Sequence, residues 1–168
     1  IRARGIYVTL NPANPALLAR ANNRLRDMKT GESATGDGDI VGRRWLPVDC
    51  DAVRPTGISA TDAEHDLALA RAHEIRAYLQ AKGWPEPLLA DSGNGAHLLY
   101  RVELPADDGG LVEKALAALA FRFTDALVTV DQKNFNPARI WKLYGTLAAK
   151  GDPTPERPHR LSRLVEGA

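Results

Sequence analysis

Two aspartates stand two positions apart near the middle of the chain, and their spacing could bind a metal ion. Asp49 and Asp51 end the apolar run RRWLPVDCD. If this run is a β-strand, both side chains point to the same face. Two carboxylates so close repel each other unless a cation neutralises them, and Mg²⁺ or Mn²⁺ with oxygen ligands is the natural choice. The spacing predicts a metal site; the alternative is that both carboxylates are solvated where the strand enters a loop.

A third aspartate could complete this site. Asp131 closes a second apolar run, LVTVD. Two metal ions about 3.5 to 4 Å apart can bind a triphosphate and activate an attacking oxygen. Neighbouring antiparallel strands would put the end of the second run at the far edge, so this site requires strand pairing that continues past Asp131. The alternative is an ordinary aspartate between a strand and a turn.

A glycine-rich turn places a hydroxyl group and a histidine near each other. The segment SGNGAH contains Ser92, Gly93, Asn94, Gly95 and His97. Its backbone N–H groups could hold a phosphate while His97 donates a hydrogen bond to a phosphate oxygen. A tight hairpin turn explains the glycines without any function. It does not explain a histidine at the start of the apolar strand LLYRV.

A basic and aromatic cluster follows in NPARIWKLYGTLAAKG. In a strand, Arg139 and Trp141 would share one face, while Lys142 and Tyr144 would share the other. Together with Lys150, these side chains suit phosphate binding and the stacking of bases or sugars. The alternative is a half-buried edge strand whose long basic side chains reach solvent.

Two helices are predicted between these motifs. The first begins after a Ser59 or Thr61 cap, ends at Gly83 and carries His65 and His73 on its surface. Its apolar positions are Leu67, Ala70, Ile75, Tyr78 and Leu79. The second amphipathic helix is predicted over 108–127.

The predicted strands complete an α+β pattern. From Arg44 onward the order is strand, helix, strand, strand, helix, strand, which is typical of a four-stranded antiparallel sheet with two helices on one face. Pro47 predicts an edge position or a bulge in the first of these strands. A strand over Ile6–Leu10 and a helix starting near Pro15 precede this unit.

The predicted division is a single domain over 1–168. Residues 1–43 are an N-terminal α/β addition with a flexible loop at 29–39, residues 44–150 are the main module and residues 151–168 are a tail.

Composition places the chain among ordinary globular proteins. It has 168 residues, of which 44% are hydrophobic and 26% charged. Its single cysteine, Cys50, excludes a disulfide framework and a multi-cysteine zinc site. No apolar run is long enough for a membrane span and no secretory signal is present, so a cytoplasmic protein without membrane contact is expected. Because the chain starts at Ile1 and its only methionine is Met28, we expect it to be a domain of a longer protein.

The net charge of +1 conceals three blocks of charge. Residues 1–44 hold 8 basic and 4 acidic residues, residues 45–131 hold 7 and 14, and residues 132–168 hold 7 and 3. An acidic centre between basic flanks could be a metal site framed by a surface that binds a polyanion. The alternative is a random distribution of surface charge.

Taken in order, these motifs resemble the archaeo-eukaryotic primase superfamily, in particular the primase-polymerase domains of phages, plasmids and bacterial mobile elements. The order is a hydrophobic-DxD motif, SGNGxH, a hydrophobic run ending in aspartate, and RIWKLYGT. The resemblance covers the chain from IYVTLNP to HRLS. It implies an RRM-like module beside a small N-terminal α/β unit, the archaeo-eukaryotic primase fold.

The resemblance also implies roles for individual residues. Asp49, Asp51 and Asp131 would bind two Mg²⁺ or Mn²⁺ ions, and Ser92 and His97 would contact the phosphates of the incoming nucleotide. The chain departs from the family pattern at Cys50, where an aliphatic residue is expected, and it contains no zinc-binding cysteine set.

The function predicted on this basis is template-directed nucleotidyl transfer by a DNA primase or DNA polymerase, in replication or repair of phage or mobile-element DNA. Its partners would be a single-stranded DNA template with its primer, nucleoside triphosphates, and a fused or separate helicase or helical primase subdomain. The nucleotide would be bound by a set of polar and basic residues: Ser92, Gly93, Asn94, Gly95, His97, Arg139, Lys142 and Lys150.

The main alternative is a non-catalytic RRM-like or replication-initiator module that binds nucleic acid. A two-metal nuclease is a third possibility, whereas initiator nucleases with paired histidines are disfavoured because no HxH occurs.

Overall fold

The structure is a computed structural model, and it describes residues 5–22, 24, 27–30, 32 and 34–166. In these residues the strands are β1 (Tyr7–Thr9), β2 (Arg43–Ala52), β3 (Leu88–Asp91), β4 (Gly95–Leu104), β5 (Val128–Val130), β6 (Ile140–Lys142), β7 (Leu147–Ala148), β8 (Arg160–Leu161) and β9 (Arg163–Glu166). The α-helices are α1 (Asp62–Ala81) and α2 (Leu111–Phe123). Short 3₁₀ helices occupy Pro15–Arg20 and Asp37–Asp39.

Five strands form one antiparallel sheet in the order β5-β2-β4-β3-β9. The predicted α+β class with an antiparallel sheet is confirmed. The chain order β2, α1, β3, β4, α2, β5 is the predicted one, with β4 between β2 and β3. The fifth strand, β9, comes from the segment predicted as a tail. None of the helices in the described part of the chain combines the length and the apolar character needed to cross a bilayer.

The hydrophobic core lies between this sheet and the two helices. Alternate residues of β2, namely Leu46, Val48 and Cys50, are buried on this side. They belong to one cluster with Ile75 of α1 and Leu116 of α2, so both helices cover the same face. Because side chains alternate along a strand, the two aspartates of β2 point to the opposite face.

Helix α1 begins and ends where its sequence predicts. The Thr61 hydroxyl accepts a hydrogen bond from the Glu64 backbone N–H, and the Glu64 carboxylate accepts one from the Thr61 N–H. This reciprocal pair is a capping box. Gly83 follows the helix with φ of 83°, a left-handed conformation that favours glycine.

The buried side of α1 differs from the prediction. Leu67 is 41% exposed and Ala70 is exposed, whereas the buried residues are His65, Ala68, Ala72, Ile75 and Leu79. The surface position predicted for His65 is wrong, because its ring contacts a buried aspartate of the sheet. His73 is exposed, as predicted. The apolar pattern misled because small alanines, rather than the larger Leu67, let the helix approach the sheet.

Helix α2 (Leu111–Phe123) is shorter than the predicted 108–127. The Asp108 carboxylate accepts a hydrogen bond from the Val112 N–H, so Asp108 precedes the helix as a cap. At the other end, Asp125 accepts a hydrogen bond from the first backbone N–H of β5 and turns the chain into that strand.

Pro47 lies within β2 at a point where the strand has one neighbour. Strand β4 pairs with β2 on one side at this position, while β5 pairs only with Cys50, Asp51 and Ala52 on the other. This is the predicted edge position, which tolerates the missing N–H of proline. The irregularity in the register lies between Arg43 and Trp45, away from the proline.

Two small sheets lie on the opposite face from the helices, and we call them the clasp. Strand β1 pairs with β6, and β7 pairs with β8. The N-terminal strand is therefore joined to a late part of the chain, with Tyr7 opposite Lys142. It is shorter than the predicted Ile6–Leu10, and the helix predicted near Pro15 is a single 3₁₀ segment.

Several predicted positions lie outside the described residues. They are residues 1–4, 23, 25 and 26 of the N-terminal addition, residues 31 and 33 of its loop, and residues 167–168 of the tail.

Candidate active site

Three side chains form a row across the face that the clasp covers. Asp49 of β2 lies opposite His97 of β4. On the other side, the Asp131 N–H donates a hydrogen bond to the Asp49 carbonyl at 2.9 Å. Residues that lie opposite each other share a face, and Asp51 shares it because it is two positions from Asp49. Strand pairing thus brings the three predicted aspartates and His97 to one side of the sheet.

Asp131 reaches this row because β5 is short. The strand pairs only with the last three residues of β2, so its last residue, Val130, lies opposite Cys50. One further bond, from the Asp131 N–H to the Asp49 carbonyl, places Asp131 beside Asp49. The predicted pairing past Asp131 does not occur, because the chain turns directly after this residue.

Asp49 is an acid of this row whose pKa is shifted by its surroundings. Burial raises the pKa of Asp49 well above its usual value, and the nearby charges of Asp51 and Asp131 raise it further. The Lys150 charge and the Asn134 amide act in the opposite direction. A carboxyl group crowded by like charges in a cleft is typical of a functional site.

Asp51 is held by an arginine that follows the DxD motif. The Arg54 guanidinium lies 3.3 Å from Asp51 Oδ1, and its side chain is only 6% exposed. Arg54 also donates to the carbonyl groups of Ala52 and Ile58. These bonds fix the guanidinium, so it positions the Asp51 carboxylate at the rim of the cleft.

One carboxylate oxygen of Asp131 is bonded within its own turn. Its Oδ1 accepts a hydrogen bond from the Lys133 N–H at 2.7 Å, and it is not among the residues that line the cleft. Within the described ranges, no three His, Cys, Asp or Glu side chains converge as ligands for one ion. The fit to a divalent cation therefore depends on Asp49 and Asp51, which both line the cleft. A cation there would remove the repulsion that raises the pKa of Asp49.

His97 is packed between the sheet and the clasp. It is 6% exposed, and its ring centroid lies 4.3 Å from that of Trp141. One ring nitrogen, Nδ1, is 3.0 Å from the Tyr144 hydroxyl, and the other, Nε2, is 3.5 Å from Asp49 Oδ1. Burial lowers the pKa of His97 to about 3, so the ring is neutral at physiological pH.

The predicted faces of the aromatic cluster are wrong for Tyr144. Strand β6 ends at Lys142, and the chain then turns. Tyr144 thereby reaches the same side as Trp141, whose Nε1–H donates to the Tyr144 hydroxyl at 2.9 Å. The alternation of a strand no longer applies beyond its last residue.

The backbone of the glycine-rich turn is bonded internally. The Gly93 N–H donates to Asp91 Oδ1, the Asn94 and Gly95 N–H groups donate to the Ser92 hydroxyl, and the Ser92 N–H donates to the Gly95 carbonyl. Ser92 and Asn94 line the cleft. Phosphate binding by the two glycines stays a prediction, and in this structure their N–H groups stabilise the turn instead.

A buried histidine and aspartate support the turn from the helix side. His65 Nε2 lies 2.8 Å from Asp91 Oδ1, the same oxygen that receives the Gly93 N–H. Burial raises the pKa of Asp91, but the hydrogen bonds from His65 and Gly93 outweigh this effect and leave the pKa below its usual value. The Asn94 side chain accepts the Ala60 N–H at 2.8 Å and ties the turn to the start of α1.

The predicted basic residues Arg139, Lys142 and Lys150 all line the cleft. Arg139 Nη2 donates to the Lys133 carbonyl at 2.6 Å, while its Nε is buried without a hydrogen-bond partner in the described part of the chain. Lys142 Nζ donates to the Leu147 carbonyl at 2.5 Å, and burial lowers the pKa of this lysine.

Two further cleft residues, Asn134 and Tyr7, were not predicted. Asn134 is 6% exposed, and its side-chain amide lies close enough to Asp49 to lower the pKa of that carboxyl group. Tyr7 is 55% exposed, and its ring lies 5.4 Å from Lys142 Nζ. Asn134 sits in a polar turn without a recognisable motif, and Tyr7 reaches the cleft only because β1 pairs with β6. The polar NFNP turn directly after Asp131 is the one sequence signal that could have indicated Asn134.

The resulting cleft has a volume of about 230 Å³ and is lined by groups of opposite charge. It contains the carboxylates of Asp49 and Asp51 together with hydrogen-bond donors and cations: His97, Asn134, Arg139, Lys142 and Lys150. The buried Nε of Arg139, which has no partner among the described residues, is a donor that an acceptor ligand would satisfy.

Comparison with known protein families, with curated proteins and with solved structures found no match.

Proposed function

We propose that the protein is a template-directed nucleotidyltransferase, a DNA primase or DNA polymerase that joins nucleoside triphosphates. The observation that carries this proposal is the presence of carboxylates and cations in one cleft. A nucleoside triphosphate bound to divalent cations needs carboxylates for the cations and donors for the phosphate oxygens. The cleft offers both within one cavity, because its lining includes Asp49 and Asp51 as well as Arg139 and Lys142.

The residues of the cleft divide into two roles. Asp49 and Asp51, with Asp131 beside them, would hold Mg²⁺ or Mn²⁺, which would lower the pKa of a primer 3′-hydroxyl and stabilise the departing pyrophosphate. Arg139 and Lys142 would bind phosphate oxygens as fixed cations. The buried Nε of Arg139 without a partner supports this role, because a phosphate oxygen would satisfy it.

The remaining polar side chains and one aromatic ring would position the substrate in the cleft. His97 would donate to a phosphate oxygen, and the Asn134 amide would hold the Asp49 carboxylate, whose pKa it lowers. Tyr7, exposed at the mouth of the cleft, offers an aromatic face to a sugar or base.

The ordered motifs and the sheet order together support membership in the archaeo-eukaryotic primase superfamily. The DxD, SGNGxH and LVTVD motifs lie on β2, at the turn into β4 and at the end of β5, which are neighbours in the sheet. In this proposal the main sheet with α1 and α2 is the RRM-like catalytic module, and the clasp includes part of the N-terminal unit.

The test is nucleotide incorporation on primed and unprimed single-stranded DNA with labelled dNTPs or NTPs and Mn²⁺ or Mg²⁺. Wild type is expected to extend the primer, and Asp49→Asn/Asp51→Asn is expected to lose at least about 100-fold in rate, the scale of losing metal-ion stabilisation. The matched control is Asp66→Asn/Asp107→Asn, which neutralises two exposed carboxylates outside the cleft. Extension that survives the Asp49/Asp51 change, or that is lost equally in the control, contradicts the proposal.

A second candidate is a nucleic-acid-binding module without catalysis. It is favoured by Asp131, whose Oδ1 accepts the Lys133 N–H and which does not line the cleft. In the same assay this candidate predicts template binding without incorporation or nucleotide affinity. Cleavage of the template strand would indicate a two-metal nuclease instead.

A further inference from the structure

Three polar groups at the clasp form a chain of hydrogen bonds that ends at the cleft. Trp141 Nε1 lies 2.9 Å from the Tyr144 hydroxyl, and this hydroxyl lies 3.0 Å from His97 Nδ1. The other nitrogen of the ring, Nε2, faces Asp49 at 3.5 Å. Each ring nitrogen of His97 therefore has one defined neighbour.

The tryptophan sets the direction of this chain. An indole N–H can only donate, so the Tyr144 oxygen accepts from Trp141. The proton of the Tyr144 hydroxyl then needs an acceptor, and the one neighbour recorded for it in the described residues is His97 Nδ1. If Nδ1 carried a proton as well, the tyrosine oxygen would accept two bonds and its own proton would be left without a partner. Tyr144 is largely buried, where an unpaired hydroxyl proton is costly.

The geometry on the other side of the ring is compatible with this arrangement. With Nδ1 as the acceptor, the proton of a neutral imidazole is on Nε2 and points to Asp49. An ionised Asp49 carboxylate favours the same tautomer, because the opposite one would direct the lone pair of Nε2 at a negative oxygen. The Tyr144 contact on Nδ1 is the one that selects the tautomer.

We propose that Tyr144 and Trp141 are positioning residues that hold the proton of His97 on Nε2, so that His97 presents a fixed hydrogen-bond donor to an anionic oxygen in the cleft. A nitrogen that carries this proton has no lone pair for a metal ion and cannot act as a general base. His97 thereby belongs with the donors that recognise the anion, and not with the carboxylates. The positioning role of Tyr144 and Trp141 rests on the proposed function only where the anion is taken to be a triphosphate.

The test of the tautomer is the ¹H–¹⁵N long-range correlation spectrum of the imidazole rings, recorded without metal or nucleotide. Wild type is expected to show His97 with a protonated Nε2 and an unprotonated Nδ1. Tyr144→Phe removes the hydroxyl group and is expected to give a mixture of the two tautomers. A wild-type ring with its proton on Nδ1 overturns the proposal, as does an unchanged pattern in Tyr144→Phe.

Tyr100→Phe is the matched control for this change. Tyr100 is also a buried tyrosine, but it lies on the helix side of β4, and its hydroxyl has no hydrogen-bond partner among the described residues. Its substitution is expected to leave the His97 pattern as in wild type. A shift as large as that of Tyr144→Phe would show that any loss of a buried hydroxyl perturbs the ring, and would overturn the proposal.

The second readout is binding of inorganic triphosphate in the presence of Mn²⁺, measured by calorimetry. Tyr144→Phe is expected to weaken it by roughly 3- to 10-fold, the effect of one hydrogen bond. In a His97→Leu background the same change should have no further effect, because there is no ring left to orient. Equal losses in both backgrounds contradict the proposed positioning role. If wild type shows the expected tautomer but incorporates no nucleotide, the positioning role stands and the proposed function fails.

Discussion

At the scale of single residues, the side chains with reactive groups could be predicted one at a time. Asp49 and Asp51 share a face because of the strand period alone, and His97 stands out in an apolar strand. Contacts between distant segments could not be predicted in this way. Arg54 reaches Asp51, and the buried amide of Asn134 reaches the cleft, through loops whose course depends on the whole fold.

Gly95 illustrates a residue whose type is required by close packing. A Cβ atom at this position would overlap the Cys50 carbonyl oxygen and lie 2.8 Å from Asp51 Oδ1. We expect Gly95→Ala to lower the free energy of unfolding by about 1 to 3 kcal/mol, because β2 and β4 would have to separate. Urea denaturation followed by circular dichroism measures this change.

The control for this substitution is Gly42→Ala. The nearest atom to a Cβ there is the Leu104 carbonyl oxygen at 3.6 Å, which is an ordinary contact. Its effect is expected to stay within about 0.5 kcal/mol. Equal effects of the two substitutions would show that the close approach of β2 and β4 at Gly95 does not constrain the sheet.

At the scale of elements, prediction succeeded where local signals define both ends of a segment. Helix α1 has a capping box at Thr61 and a left-handed glycine at Gly83, and the hairpin between β3 and β4 has its glycine-rich turn. Prediction failed where the end of a strand depends on the strand with which it pairs. Strand β6 ends at Lys142 because its partner β1 is only three residues long, and this places Tyr144 beside His97.

The segment that follows β7 crosses the start of α1 and is held there by arginines. Both Nη atoms of Arg157 bind the Glu64 carboxylate, at 2.7 and 2.9 Å, and Nη1 also donates to the Ser59 carbonyl. Arg160 donates to the Ala60 carbonyl. These contacts connect the tail to the loop that supports the glycine-rich turn.

Arg157→Ala is expected to lower the free energy of unfolding by clearly more than the loss of an exposed ion pair, because it removes a two-pronged ion pair and leaves the Ser59 carbonyl without its donor. The measurement is again urea denaturation. Arg101→Ala is the control, since its pair with Glu103 is exposed and should contribute about 0 to 0.5 kcal/mol. A loss in Arg157→Ala no larger than that of the control would mean that the tail is not held through this residue.

At the scale of the whole molecule, the basic C-terminal block of charge has a structural role that was not predicted. Three arginines of the basic C-terminal block pair with the acidic centre: Arg157 with Glu64, Arg160 with Asp62 and Arg163 with Asp91. Part of this block therefore holds the fold together. The polyanion-binding surface predicted for the basic flanks stays a prediction, and the cations that line the cleft, Arg139, Lys142 and Lys150, precede these three arginines in the block.

The loss of folding stability as the pH falls into the acid range should depend on Asp91. The pKa of Asp91 in the folded protein lies below its unfolded value of about 3.9, so its contribution is fully present above that pH and is lost as the pH falls through the folded pKa. Asp91→Asn is expected to lower stability near neutral pH and to flatten the decline on acidification. Urea denaturation in EDTA at a series of pH values between about 3 and 7 measures both effects.

Asp49→Asn is the matched control, because it is the same chemical change on the same sheet and its sign is reversed. The pKa of Asp49 is raised in the folded protein, so ionising it costs stability as the pH rises through the folded pKa. The substitution is expected to raise stability near neutral pH, with the gain disappearing in acid. If both variants shift stability in the same direction, the opposite environments assigned to the two carboxylates are wrong.

The pairing of β1 with β6 has a consequence for when the cleft can form. The Asn11 side chain donates to the carbonyl of Pro137, 126 residues away, and Tyr7 lies beside Lys142. Contacts between such distant segments require closure of a long loop and form slowly compared with local ones. During synthesis on a ribosome, four strands of the main sheet and both helices can assemble before β6 has emerged, while the N-terminal strand waits for its partner. Formation of the cleft is thus delayed until most of this part of the chain has been translated.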